Sequence, residues 1–134
     1  MKTLLFMPFL FMFSMVIGQS SKIIGKPIRI GKLEVAQNDY WTTGGDWNYE
    51  KDLFNWNEAK KACADLGSGW RLPTKSELDL LYKNREKIGG FFYAIYWSSS
   101  NYNSYDAWAQ SFYSGAQATG EKTTSYRVRA VRSF

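Results

Sequence analysis

The sequence contains no histidine and a single cysteine, Cys63. The first absence removes Ser-His-Asp and Cys-His catalysis, histidine-ligated zinc and the usual general base near neutral pH. The second excludes an intrachain disulfide. Proline is also scarce, confined to Pro8, Pro27 and Pro73. There is no Gly-X-Y period, hence no collagen-like region, and no internal repeat or interdomain linker. Carboxylates are present, but no spacing implies a close acid–base pair. An enzyme is therefore not expected.

What is present begins with Lys2 and the apolar run LLFMPFLFMF, followed by small residues at Val16 and Gly18. This is the pattern of a signal peptide cleaved near Gly18–Gln19. The run is shorter than the roughly 20 residues of a spanning helix, and Pro8 interrupts it. No membrane insertion is expected after cleavage. The expected organisation is a signal peptide over 1–18, a short lead over 19–27 and one domain over 28–134. The product would be secreted, cell-surface or periplasmic. The formal net charge is +5, of which cleavage removes only Lys2. That favours anionic partners modestly and falls short of the charge density of a nucleic-acid binder.

Ile28 and Ile30 alternate with Arg29, and Leu33 and Val35 with Glu34, which reads as two short strands around a Gly31-Lys32 turn. A polar, aromatic loop with Gly44-Gly45 follows. Asn55 can cap a first helix, with Glu58 at the capping-box position and Gly67 at its end. Ala59, Ala62, Cys63 and Leu66 share its apolar face, so Cys63 reads as a buried, inert thiol. Small residues there suit close packing against a sheet. Trp70-Arg71-Leu72 is short and extended, and Pro73 holds the chain out of helix. Thr74 then caps a second helix, with Glu77 closing the box and Leu78, Leu81, Tyr82 and Ile88 facing inward. The remainder reads as β: FFYAIYWSSS, DAWAQSFY and SYRVRAVRSF as strands, SGAQATGEKTT as a hairpin or loop. The expected class is α+β, two helices on a small, twisted, mainly antiparallel sheet.

The segments LEVAQND, NWNEAKKACADLGSGWRLPTKSELDLLY, KIGGFF, YWSSS, AWAQSF and the terminal VRAVRSF occur in that order. In this combination the chain resembles the DUF1566 family, also described as the Lcl C-terminal domain, over residues 28–134. The resemblance implies a C-type lectin-like fold with paired N- and C-terminal strands. It also implies an exported bacterial protein and, from a collagen-like adhesin in that family, binding of sulfated glycosaminoglycans. The collagen region is missing here, and so are the Glu-Pro-Asn or Gln-Pro-Asp calcium triplet and the disulfides of animal C-type lectins. Fold alone therefore gives only a prior for ligand binding.

Three candidate sites follow. In YWSSSNYNSYDAW, Trp97 and Trp108 read as core rings, with serines fixing a local turn. The segment between them can project as a loop. There Asn101, Asn103, Tyr105 and Asp106 can take sugar hydroxyls while Tyr102 or Tyr105 stacks on a pyranose face; the competing reading is an ordinary solvated loop. On the terminal strand, Arg127 and Arg129 share one face about 7 Å apart, and Arg132 joins them only through a bulge. Guanidinium groups so spaced suit sulfate or carboxylate, unless acids such as Asp106 or Glu121 pair with them. Finally, Asp46, Asn48, Glu50 and Asp52 offer calcium-type oxygens, but Lys51 stands where an EF-hand loop needs glycine. No cofactor is expected; calcium lacks a supporting motif. The expected function is glycan recognition, with protein recognition or a structural role on the same fold as the alternative.

Overall fold

The computed structural model describes residues 18–42 and 52–134. Residues 1–17 of the expected signal peptide (1–18) and the oxygen-rich positions 46, 48 and 50 lie outside the described residues. Residues 18–24 are helical, and Ile23 is fully buried. The lead before the first strand thus contributes to the core.

Strands β1 (Ile28–Ile30) and β2 (Leu33–Val35) form the expected hairpin around Gly31, whose φ of 60° is the left-handed turn conformation. Strand β6 (Val131–Ser133) pairs antiparallel with β2, giving a sheet of order β1-β2-β6. The second sheet is β3 (Ile95–Asn101), β4 (Asp106–Ser111) and β5 (Gln117–Glu121), also antiparallel and in that order. The α+β class therefore holds, with two small sheets in place of the single one expected. β5 corrects the reading of 114–124 as hairpin or loop.

Helix α1 (Trp56–Asp65) is capped by Asn55, whose side chain accepts from the Glu58 N–H. Its Ala59 and Cys63 are fully buried and cluster with Trp97, Ala107 and Ala109 of the second sheet. Small side chains bring helix and sheet close together, and burial pushes the Cys63 thiol up to about 12. Helix α2 (Lys75–Lys83) carries the full capping box of Thr74 and Glu77. Its Leu78 and Leu81 join Tyr96, Phe112 and Val131 in a second cluster. A single further turn, α3 (Arg85–Ile88), follows.

The C-terminal stretch differs from the sequence reading. Only Val131–Ser133 forms a regular strand. Residues 126–130 run extended between the sheets instead. Tyr126 bridges Phe54, Arg127 bridges Tyr96 in parallel, and the Val128 and Ala130 carbonyls accept from Tyr40 and Ala36. One segment thus joins both sheets and the aromatic loop.

Arg71 forks onto both Glu77 oxygens at 2.7 and 3.0 Å and reaches the Ser133 hydroxyl at 2.9 Å. The same Glu77 accepts from the Thr74 N–H, so the helix cap and the C-terminus share one ion pair. Its hydrogen bond to Arg71 holds the Glu77 carboxyl below its ordinary value. A carboxylate lowered in the fold stabilises above its unfolded value near ~4.3, and that contribution is lost as pH falls through the folded value. Glu77→Gln is expected to cost about 1 kcal/mol at neutral pH. In urea melts its deficit should shrink progressively below pH ~4.

Candidate functional site

The terminal arginines are not an exposed anion surface. Arg129 is fully buried; its Nε donates to Asp39 Oδ1 at 2.8 Å and its Nη1 to the Ala36 and Gly89 carbonyls. Its guanidinium stacks 4.0 Å from the Phe91 centroid. Arg127 lies 3.8 Å from the same Asp39 and stacks 3.9 Å over Phe92. Tyr96 donates its hydroxyl to the other Asp39 oxygen and accepts from the Phe92 N–H. Gly90, at φ 75°, leaves room beside Arg129: a Cβ there would sit 3.2 Å from Nη2. Arg132 turns away, as period two requires, to its register partner Glu34 at 3.3 Å and over the Trp70 ring. The expected shared face for Arg127 and Arg129 is real, but their acid is Asp39, not Asp106 or Glu121. Anion binding by these three arginines loses its basis.

Burial pushes the Asp39 carboxyl above its ordinary value, against the opposing pull of Arg129, Tyr96 and Arg127. The Tyr96 phenol is pushed up as well, by burial and then by Asp39. A buried charged cluster of this kind positions backbone; it offers nothing to a ligand in solution.

The hairpin over 101–106 is the exposed element among the predicted site residues. Asn103 Oδ1 accepts from both the Tyr105 and Asp106 N–H groups, so its oxygen builds the turn. Lys122 Nζ donates to the Asn103 carbonyl at 2.8 Å, holding the hairpin onto the end of β5. Asn101 ends β3 opposite Ala107, and Asp106 is half-buried opposite Glu121. Tyr102 and Tyr105 project, 58% and 79% exposed.

Trp97 is a core ring as expected, fully buried with its indole N–H on the Phe54 carbonyl. Trp108 is not. Its strand neighbours Ala107 and Ala109 are buried, whereas Trp108 lies on the other face and is only half-buried. The Tyr102 ring meets it edge-on at 5.6 Å, and Lys75 Nζ stands 3.4 Å from its centroid. Tyr102, Trp108 and Lys75 thus form an aromatic surface with a cation, bordered by the hairpin amides. The alternation Ala107-Trp108-Ala109 carried the signal, since two alanines beneath Trp97 send the tryptophan outward. The serines are structural: Ser98 donates to the Trp108 carbonyl, Ser100 accepts from the Lys75 N–H, and the Ser99 N–H bonds the Pro73 carbonyl.

Asp52 of the proposed calcium stretch accepts from the Thr42 N–H. Among the described residues, no group of three or more His, Cys, Asp or Glu is arranged to hold a metal ion. Nor is any described helix long and apolar enough to cross a membrane.

The family model of the Lcl C-terminal domain matches residues 35–132. The chain belongs to that family. None of the curated proteins compared matches it. In this Lcl C-terminal domain, WRLPT is the run that places Trp70 under Arg132, sends Arg71 to Glu77, buries Leu72 and Pro73 and supplies the Thr74 cap. YWSSS supplies the Tyr96 hydroxyl to Asp39 and ties β3 to that run. The terminal VRAVR, with the Arg127 that precedes it, delivers both buried arginines.

Removing one member of a buried ion pair leaves a charge unpaired, at a cost of about 3–5 kcal/mol. Asp39→Ala is expected to lower unfolding free energy by that amount in chemical denaturation. Tyr105→Ala, at the exposed hairpin tip, should change it by under ~0.5 kcal/mol.

Proposed function

We propose that this protein is an exported binding module that recognises glycans at the cell surface or outside the cell. The observation that carries this reading is the Tyr102–Trp108 surface. A partly exposed indole flanked by an exposed phenol, beside Asn101 and Asp106 and a rigid turn, suits the apolar face and hydroxyls of a pyranose. Any preference for sulfated or otherwise anionic sugars would rest on Lys75 and Lys122, not on the terminal arginines. The pairing of β6 with β2, and the separate β3-β4-β5 sheet, support reading the frame as C-type lectin-like. The signal-peptide pattern of residues 1–18 supports export. The reading assigns no catalytic residue and no cofactor.

Protein recognition is the competing reading, and one observation favours it. Tyr93 and Tyr113, 84% and 79% exposed, meet edge-to-face at 6.1 Å at the opposite end of β3 and β4. Such a pair suits the buried centre of a protein interface.

Retention on immobilised heparin and on neutral polysaccharides, across a salt gradient and with or without EDTA, separates these. Glycan recognition predicts about tenfold weaker retention in Trp108→Ala and in Tyr102→Ala, on the order of 1.4 kcal/mol each. EDTA should not matter. Retention lost only with EDTA would move the site to the oxygen-rich 46–52 stretch, and no retention on any glycan would leave protein recognition.

A further inference from the structure

Three of the four outer strand edges are closed or short. β1 has three residues and follows Pro27. β6 continues into the Arg71–Val131 bridge, and β3 is covered by the Arg127 segment. β5 is different. In the β4–β5 ladder the Lys122 N–H bonds the Tyr105 carbonyl and the Ser111 N–H bonds the Ala116 carbonyl. With the register Asp106↔Glu121 through Gln110↔Gln117, alternation makes Ala107↔Gly120 and Ala109↔Ala118 the bonded pairs. The N–H and C=O groups of Gln117 and Thr119, and the N–H of Glu121, therefore point away from β4. The Glu121 carbonyl takes the Thr124 N–H. Among the described residues the outward groups have no partner. The strand QATGE also lacks the usual protections of an edge, having no proline, no lysine and no bulge and, among the described residues, no loop paired along it.

We infer that β5 is an interface that pairs antiparallel with β5 of a second copy of this chain, centred on Thr119. The sequence QATGE suits this register. Thr119 bonds its own counterpart, and Gln117 of each copy meets Glu121 of the other, so no like charges oppose one another. The neighbouring charges are complementary. Asp106 is the register partner of Glu121, and the two carboxylates outnumber the neighbouring Lys122, so one end of β5 carries a net negative charge. The other end lies beside Lys75, whose carbonyl accepts from Gln117 Nε2 at 2.7 Å and whose ammonium covers Trp108, the register partner of Thr119. A two-fold arrangement brings the acidic end of each copy to the Lys75 end of the other. The small side chains of Ala118 and Gly120 put no bulk in the way. The product is one six-stranded sheet with two Trp108 surfaces on the same face.

Thr119→Pro tests this directly. It deletes an outward N–H while leaving the bonds to β4 intact, a placement edge strands tolerate. Sedimentation equilibrium of the protein expressed from the whole 134-residue sequence should show a concentration-dependent dimer, weakened at least tenfold in Thr119→Pro and in Glu121→Lys. Amide exchange at Gln117 and Thr119 in the unaltered protein should slow as concentration rises, a readout that survives if the proline variant fails to fold. A monomeric mass up to millimolar concentration would overturn the inference. So would a dimer in which those two amides exchange at the same rate at every concentration.

Discussion

One carboxylate organises this molecule. Asp39 sits just after β2 and, through Tyr96, grips the start of β3 at the edge of the second sheet. Through Arg129 and Arg127 it grips the segment that runs between the sheets. Arg129 in turn holds the Gly89 carbonyl and lies over Phe91. Three stretches far apart in sequence converge on one buried charge. Charge burial on this scale is costly unless the geometry is complete, so any arrangement of these stretches short of the native one is penalised. The apolar clusters supply the bulk of the driving force; the Asp39 cluster selects which packing they adopt.

How much of this could be read from the sequence follows the range of the interactions. The two helices and their caps were legible because Asn55, Thr74 and Glu77 act within a single turn. The β1–β2 hairpin was legible for the same reason. β5 was not, since Gln117–Glu121 has little intrinsic strand preference and becomes a strand by pairing with β4. The arginines were correctly placed on one face, but their acid lies some ninety residues earlier, and nothing local distinguishes Asp39 from the chain's other acids. Trp108 departs from the expected core position, an expectation that a large ring carries by default. Its placement depends on Ala107 and Ala109 being the residues that fit beneath Trp97.

The candidate binding surface and the proposed interface both belong to the second sheet. The first sheet is occupied in holding the chain ends together: β6 against β2, Arg132 against Glu34, Arg71 against Ser133. Rigid packing on one side and projecting aromatic side chains on the other is a common division of labour in binding domains, where a fixed scaffold presents short loops. In this chain the scaffold extends into the hairpin itself, because Lys122 and Asn103 fix its turn. Tyr102 and Tyr105 are therefore presented with little backbone freedom to lose on contact with a ligand.

The segment over 126–133 has a further consequence in time. It carries the only strand that joins β2 from the far end of the chain and both arginines that neutralise Asp39 among the described residues. Until it has emerged, Asp39 lacks its counterions and β2 lacks a neighbour on that side. Native contacts at such sequence separation form late and slowly.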